Sequence, residues 1–299
     1  MSCVKQGCGE DLSALARFSF EHADALCAEE HGCRPYHKIW SLLRLFERRG
    51  ALPAGESFYR QELERVIARG GKRVLLSGAA DTGLMALVIK VFAEFGTIPD
   101  ITLVDRCQTV IEQNKLFVES MKLNAHFFVG DIHVFCAEPF DVIFAHSFIV
   151  FFPQAELNLL ARAWRNLLKD EGIILTTDYL TTSPEPVRTN SMTDEEIEGK
   201  LEFLVKAAQD HGMDTSTVAE VRRCVKLFFT DYYFSSREPL LNMLEMQNYM
   251  RMGGLDVVTT SIVAPPPIYS SLQNQNRVHV RTVLGIAGQN VPARTQANP

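Results

Sequence analysis

The sequence lacks any apolar run of about 18 residues, the length that a membrane-spanning helix needs. Its opening segment, MSCVKQGCGEDL, also lacks the basic-then-apolar order of a secretory signal. There is no excess of basic residues, because 30 Lys and Arg stand against 36 Asp and Glu, for a net charge of -6. We therefore expect a cytoplasmic protein, a monomer or homodimer, that binds neither nucleic acid nor membranes.

The sequence also lacks a disulfide framework, because its 7 cysteines are odd in number and scattered through the chain. Four potential zinc ligands, Cys27, His31, Cys33 and His37, do lie within the segment CAEEHGCRPYH. Zinc ligands usually come as pairs from separated elements, whereas these four lie along one segment that begins as a helix. We therefore expect no metal, and interpret the thiols as side chains packed inward at a helix end.

From Arg73 onward, strand-like and helix-like segments alternate, which is typical of a parallel sheet with helices on both faces. The last two predicted strands, 255–263 and 276–286, are joined by a link without helical pattern, so that they can pair antiparallel. The sequence therefore predicts a seven-stranded, doubly wound α/β sheet. The other strands are predicted at 73–78, 101–106, 126–131, 140–148 and 172–180, and the helices between them at 84–96, 108–122 and 155–169.

The alternation stops after the fifth strand, where a proline-containing stretch, a charged helix near 193–211 and the aromatic segment VKLFFTDYYFSS follow. We interpret this region as a cap inserted between the fifth and sixth strands. The predicted organisation has five segments: an N-terminal helical cap (1–70), an α/β core that binds the cofactor (71–180), the cap insertion (181–236), the completion of the core with a terminal strand hairpin (237–288) and a flexible tail (289–299).

The ends of the first three strands carry the residues that point to a ligand. In doubly wound sheets, ligands bind at the carboxyl ends of the strands. The first strand ends in the turn Gly78–Gly83, and Asp105 ends the second strand roughly 20 residues later, where an acid can accept hydrogen bonds from ribose hydroxyls. Asp131 closes the third strand, where it can accept from an adenine amino group. A carboxylate at Asp81, inside the turn, would repel phosphate, which favours a phosphate-free nucleoside.

This ordered set resembles the class I S-adenosylmethionine (SAM)-dependent methyltransferases over about residues 70–287. The set comprises the strand and glycine turn, the acid-ended second strand, Gly-Asp-Ile, FDVIFAHSF, LLKDEGIILTTDYL and the terminal hairpin. The resemblance implies a Rossmann-like methyltransferase fold, SAM as cofactor and methyl transfer to a small-molecule acceptor. It also implies cofactor contacts from Gly78, Ala79, Asp81 and Gly83 in the turn, Asp105 and Arg106 near the ribose, Asp131 and Ile132 around adenine, and Ala145, His146 and Ser147 on the methionine side.

The glycine turn departs from the family pattern. The family usually has alternating glycines preceded by an acid at the end of the first strand, but this chain has Leu76 and Ser77 there and Ala79-Ala80 inside the turn. We predict that Asp81 compensates by binding the ammonium or sulfonium cation of the cofactor, or a ribose hydroxyl. The alternative interpretation is a solvent-facing aspartate that caps the following helix.

Four residues are candidates for catalysis. His146, at the end of the fourth strand, stands where a general base would sit, although it could equally be a strand-end histidine bonded to backbone. Asp178 and Tyr179 follow in the fifth strand, and one of them can point away because strand residues alternate faces. Tyr36, with His37 and Trp40, could close over the cofactor from the N-terminal helices, or simply pack there.

Two aromatic segments are candidates for the walls of the predicted SAM-binding pocket. HSFIVFF (146–152) and LFFTDYYF (227–234) could line it with rings, whose faces attract a sulfonium cation. The alternative is that most of these rings belong to the hydrophobic core.

Several functions remain open for such a chain. The first is a small-molecule methyltransferase of biosynthesis, such as secondary metabolism. The second is intramolecular cyclisation of SAM, then the substrate, to azetidine-2-carboxylate with release of methylthioadenosine, because the azetidine-2-carboxylate synthases have a similar fold and helical cap. A non-catalytic partner subunit with this fold is a third possibility. A nicotinamide-dependent dehydrogenase fits less well, because the glycine pattern is short and a hairpin ends the sheet.

Overall fold

A computed structural model describes residues 8–46, 56–183, 193–232, 239, 241–263 and 277–288. Its helices are α1 (Cys8–Leu26), α2 (Arg34–Phe46), α3 (Glu56–Ala68), α4 (Gly83–Glu94), α5 (Gln108–Ser120), α6 (Leu157–Asn166), α7 (Asp194–Asp210), α8 (Thr215–Leu227) and α9 (Met243–Met252). Its strands are β1 (Arg73–Ser77), β2 (Asp100–Asp105), β3 (His126–Val129), β4 (Phe140–His146), β5 (Leu168–Thr181), β6 (Leu255–Val263) and β7 (Arg277–Ile286). No helix in these ranges has the length and apolar character needed to cross a membrane. The predicted flexible tail, 289–299, and part of the predicted insertion lie outside the described residues.

The seven strands form one sheet in the order β3-β2-β1-β4-β5-β7-β6. Strands β1, β4 and β5 are parallel, as are β2 and β3, whereas β7 is antiparallel to both β5 and β6. The predicted doubly wound sheet with a terminal antiparallel hairpin is therefore confirmed. The strand order reverses direction between β1 and β4, and the carboxyl ends of strands at such a switch point are where this architecture binds ligands.

The fifth strand begins earlier than the sequence predicts. The sequence analysis predicts a helix up to residue 169 and the strand at 172–180, which leaves Asp170 and Glu171 as the link between them. In the structure α6 ends at Asn166, and Leu168 already pairs with Phe140, with a register shift before Val142. Leu168 is buried while the three charged side chains of Lys169–Glu171 are exposed, so β5 includes this charged run although the next residue that pairs with β4 is Ile173.

The chain divides into two compact units. The first unit comprises residues 1–56, 78–131 and 189–237. Within it, the Lys38 side chain is only 8% exposed and pairs with Asp24 of α1 and, at 3.0 Å, with Glu220 of α8. The Gln113 amide of α5 donates to the Leu15 carbonyl at 2.9 Å. The N-terminal helices of the predicted cap thus pack against α5 and α8 of this unit.

The second unit comprises residues 57–77, 132–188 and 238–299, and contains β1 and β4 to β7. The indole N–H of Trp164, a fully buried residue of α6, donates to the Ser77 hydroxyl at 3.0 Å. The Ser77 hydroxyl, at the end of β1, thus accepts a hydrogen bond within the core. The end of α9 lies so close to α6 that a Cβ at Gly253 would be 2.3 Å from the Ala161 Cβ, which explains the glycine.

Candidate functional site

The glycine turn in the first unit is organised around the carboxylate of Asp105. Gly78 has φ 77°, a conformation that favours glycine, and its N–H donates to the Val104 carbonyl at 2.8 Å. The Ala79 N–H donates to Asp105 Oδ2 at 3.0 Å, and the Cys107 N–H donates to Asp105 Oδ1 at 2.8 Å. Burial raises the pKa of Asp105 above its ordinary value, although these amides and the nearby His37 oppose the rise. The carboxylate is therefore held in a fixed orientation at the end of β2.

Asp81 lies at the start of α4 and is 8% exposed. Its Oδ1 accepts a hydrogen bond from the Gly83 N–H at 2.7 Å, so that the side chain satisfies one of the first amides of the helix. This contact agrees with the alternative interpretation in which Asp81 caps the following helix. The carboxylate is buried, however, and does not face solvent as that interpretation expected. Binding of the cofactor cation by Asp81 stays a prediction.

Arg106 and Asp131 lie together at the ends of β2 and β3. Arg106 Nε is 4.0 Å from Asp131 Oδ2, and the two side chains are substantially exposed. An exposed ion pair of this kind contributes about 0–1 kcal/mol. The Gly130 N–H donates to the Asp105 carbonyl at 2.9 Å, which joins the two strand ends. The predicted adenine contact of Asp131 stays a prediction, and Ile132, buried, begins the next segment of the second unit.

In the second unit, the residue that follows the end of β4 has a positive φ and belongs to the predicted site. Ala145 is fully buried, and Ser147, just past the strand, has φ 50°, a conformation uncommon for residues other than glycine. The Ser147 N–H donates to the Thr177 carbonyl at 2.8 Å, and its hydroxyl reaches the same carbonyl at 3.2 Å. The end of β4 is therefore fastened to β5, and strain of this kind often accompanies functional sites.

His146 is connected to a buried tyrosine that the sequence analysis did not identify. The Tyr59 hydroxyl of α3 is hydrogen-bonded to His146 Nδ1 at 2.7 Å and also to the Thr177 hydroxyl. Burial raises the pKa of Tyr59, so that the phenol stays protonated at neutral pH. Tyr59 thus fixes the orientation of the imidazole. Nothing in the sequence distinguishes it from the other residues on the buried face of an amphipathic helix.

Asp178 is the strongest candidate for chemistry in the second unit. It lies in β5, is 6% exposed, and neither carboxylate oxygen has a hydrogen bond of good geometry to the described residues. Burial raises the pKa of Asp178 to about 7, against weaker opposing effects of Thr176 and of the Ile149 and Phe148 amides. The carboxylate borders a small pocket lined by Ile149, Val150, Phe152, Gln154, Leu157, Tyr179, Leu180, Pro239 and Leu241.

The other candidate residues are divided between the units. Tyr179 borders the same pocket as Asp178 and stacks on His279, with ring centroids 4.6 Å apart. Tyr36 lies in the first unit, where it stacks on Trp40 at 5.2 Å and contacts Phe228 at 6.1 Å. These contacts agree with the packing alternative for Trp40. The structure therefore groups Asp178 with Tyr179 and connects His146 to Tyr59, while Tyr36 belongs to a separate aromatic cluster.

A second polar cluster lies in the first unit and combines three thiols and an imidazole. The ligand atoms of Cys27, Cys33, His37 and Cys107 all lie within 4.8 Å of one another. The sequence analysis rejected a metal because its four candidate ligands shared one segment. The structure replaces His31 by Cys107, which precedes α5 and comes from a distant part of the chain. The grouping of Cys107 with the other three residues depends on tertiary contact, which the spacing of the sequence does not contain.

Comparison with known proteins identifies the fold, which is that of the class I SAM-dependent methyltransferases. One similar structure is a SAM-dependent methyltransferase from Clostridium acetobutylicum, with 12% identity and a TM-score of 0.52, covering 85% of this chain and 99% of that one. Another is the [4+2]-cyclase SpnF, with 11% identity and a TM-score of 0.54, covering 82% and 91%. No protein-family model and no curated protein matches the chain. At these identities the likeness shows the fold alone.

Proposed function

We propose that the protein is a SAM-dependent methyltransferase that acts on a small-molecule acceptor, with Asp178 as the proton acceptor. The observation that carries this proposal is the buried Asp178 carboxylate beside an apolar pocket, with its pKa raised by burial to about 7. The fold supports the cofactor class. The acidic residues at the strand ends support SAM as the cofactor, and Asp178 supports a reaction in which the acceptor loses a proton.

SAM suits the acidic character of the predicted cofactor residues better than a dinucleotide does. Asp105 presents a carboxylate held by two backbone amides, which suits the hydroxyl donors of a ribose. Asp81 places a second carboxylate within the glycine turn, where a pyrophosphate would be repelled but a cation attracted. SAM has a ribose, a sulfonium and an ammonium group, and it carries no phosphate.

Methyl transfer needs an acceptor that loses a proton as it attacks. In the proposed reaction the acceptor O–H or N–H gives its proton to Asp178, and the acceptor atom forms a bond to the methyl carbon. The carbon–sulfur bond breaks, its electron pair stays on sulfur, and S-adenosylhomocysteine leaves. A base with a pKa near the working pH combines a useful deprotonated fraction with enough basicity to take the proton.

The lining of the small pocket beside Asp178 supports one class of acceptor. Its walls are mainly aliphatic and aromatic, with Gln154 and the Tyr179 hydroxyl as the other polar groups of its lining side chains. Such a lining favours a small, largely apolar compound with one nucleophilic hydroxyl or amine. The excess of acidic over basic residues also favours this class over nucleic acid.

The proposal is tested by incubating the purified protein with SAM alone and with SAM plus a pool of small hydroxyl- and amine-bearing compounds. Mass spectrometry then identifies the adenosine product. S-adenosylhomocysteine formed only with the pool supports methyl transfer. Methylthioadenosine from SAM alone would instead support cyclisation, and the absence of any product from a SAM-bound protein would support the partner-subunit alternative. Asp178→Asn should abolish most of the product, whereas Asp170→Asn, an exposed acid of the same strand, should not.

A further inference from the structure

We propose that Cys27, Cys33, His37 and Cys107 form a zinc-binding site in the first unit, because four ligand atoms of the zinc-preferred type converge there. The four atoms lie within 4.8 Å of one another. Three cysteines and one histidine are a ligand set of structural zinc sites. The site is distinct from the proposed acceptor pocket, which belongs to the second unit.

Two of the distances between the ligand atoms fit the edges of a zinc tetrahedron. With Zn–S of about 2.3 Å and Zn–N of about 2.0–2.1 Å, neighbouring sulfurs should be about 3.8 Å apart, and sulfur and nitrogen about 3.6 Å apart. The Sγ atoms of Cys27 and Cys107 are 3.4 Å apart, and Cys27 Sγ is 3.6 Å from His37 Nδ1. These two edges are therefore within a few tenths of an ångström of the ideal values, and every other pair of ligand atoms lies within 4.8 Å.

The local structure holds the ligands in place. Cys27 follows α1, Cys33 precedes α2, and His37 lies in the first turn of α2, where its N–H donates to the Cys33 carbonyl at 3.1 Å. The Thr109 hydroxyl lies 3.2 Å from Cys27 Sγ, in position to support a thiolate from outside the first coordination sphere. The Ser19 hydroxyl donates to the His37 carbonyl at 2.7 Å, which fixes the start of α2.

The ligand set also defines the role of the metal. All four positions of a tetrahedron are filled by the protein, so that none is left for a catalytic water, and the site is structural. A disulfide between two of the cysteines explains the cluster less well than a zinc ion does. A sulfur–sulfur bond is about 2.0 Å long, and joining Cys27 to Cys107 would leave the Cys33 thiol and the His37 imidazole together without a common partner.

The consequence of the site for the cofactor depends on the proposed function, whereas the site itself does not. The Cys107 N–H donates to Asp105, the predicted ribose ligand, so a metal bound to the Cys107 sulfur would restrain the Asp105 carboxylate. The same metal would join the turn between α1 and α2 to the end of β2. Zinc would therefore stabilise the first unit and pre-organise the acid that binds SAM.

The test measures metal content and cobalt binding in the purified 299-residue chain, without SAM. Inductively coupled plasma mass spectrometry of protein expressed with added zinc should give about one zinc per chain. Replacement by Co²⁺ should produce thiolate-to-cobalt charge-transfer bands and the intense visible bands of tetrahedral cobalt. Cys107→Ser and His37→Ala should weaken zinc binding by more than about tenfold, whereas His31→Ala and Cys136→Ser should leave it unchanged.

Three results would overturn the proposal. The first is folded wild-type protein that gives no tetrahedral cobalt spectrum, a readout that needs no variant to fold. The second is equal zinc affinity in Cys107→Ser and wild type. The third is a Cys27–Cys107 disulfide as the main species in non-reducing peptide mapping. If wild-type protein binds zinc but does not turn over SAM, the result would contradict the proposed function and leave the zinc site standing.

Discussion

The hydroxyl oxygen of Tyr59 lies 2.7 Å from Nδ1 of His146, and the same hydroxyl is hydrogen-bonded to Thr177. This relationship joins α3 to the ends of β4 and β5. Because Tyr59 is fully buried and its phenol stays protonated, the hydroxyl is a fixed partner of the imidazole. His146 thus has one ring nitrogen committed to the protein scaffold, and Tyr59 acts as a positioning residue.

Replacing Tyr59 by Phe should destabilise the protein and loosen His146. The change leaves His146 Nδ1 and the Thr177 hydroxyl without this partner, so we expect the free energy of unfolding to fall by about 1–3 kcal/mol. Chemical denaturation measures that loss, and ¹⁵N NMR of the imidazole should show a changed tautomer balance. Tyr249→Phe, in a partly exposed tyrosine of α9, is the matched control. Unchanged imidazole shifts in Tyr59→Phe would contradict the positioning role.

Replacing Asp178 by Asn should remove the proposed proton acceptor. We expect kcat to fall by about 10²- to 10⁴-fold, the usual contribution of a general base. Because burial raises the pKa of Asp178 to about 7, the wild-type rate should rise with pH through that value as the carboxylate loses its proton. The variant should lack this limb of the pH–rate profile. A retained limb would mean that another group takes the proton.

The same carboxylate should make the stability of the protein depend on pH. Below about pH 3.8 Asp178 is protonated in both the folded and unfolded states, so it contributes nothing there. Between about 3.8 and about 7 the unfolded chain has lost the proton while the folded chain retains it, so stability falls as pH rises. The slope is at most about 1.4 kcal/mol per pH unit.

Asp178→Asn removes this titration. The variant should therefore gain stability relative to wild type as pH rises from about 4 to about 7, and the gap should then stay constant. Urea denaturation at a series of pH values measures the gap, with Asp170→Asn as the control for an exposed acid in β5. A gap that does not change with pH would show that Asp178 is ionised in the folded state throughout this range.

Two substitutions at Asp81 separate helix capping from charge. Asn keeps an oxygen that can accept from the Gly83 N–H, whereas Ala removes the acceptor altogether. If Asp81 binds the cofactor cation, both variants should lose SAM affinity, while only Ala should also lose about 0.5–2 kcal/mol of stability. Calorimetric titration and thermal unfolding measure the two effects. Undiminished SAM affinity in Asp81→Asn would limit Asp81 to the capping role.

The fold could be predicted from the sequence because its signals are local. The apolar runs that become β1, β2 and β4 alternate with helical patterns, and this alternation alone indicates a parallel sheet. The terminal hairpin followed from the absence of a helix between its strands. The early start of β5 was missed because the charges of Lys169–Glu171 separate Leu168, which pairs with Phe140, from the apolar run that begins at Ile173.

Some residues of the candidate sites could be predicted from the sequence and others could not. Asp105 and Asp178 could be singled out because each lies where the end of a strand is expected, and strand ends bind ligands in this architecture. Tyr59 and Cys107 could not be, because their significance comes from neighbours far away in the sequence. Cys107 shares its cluster with Cys27, 80 residues earlier in the chain, and Tyr59 contacts His146, 87 residues later.

The central claim is that the strand ends hold a cationic, phosphate-free nucleoside through carboxylates. Isothermal titration calorimetry of the purified chain with SAM tests this claim most directly, with NAD and ATP titrated in parallel. We predict saturable binding of one SAM per chain, strongly weakened in Asp105→Ala, and no binding of NAD or ATP. Binding of NAD or ATP in place of SAM, or no heat with SAM from a protein shown to be folded, would contradict the account.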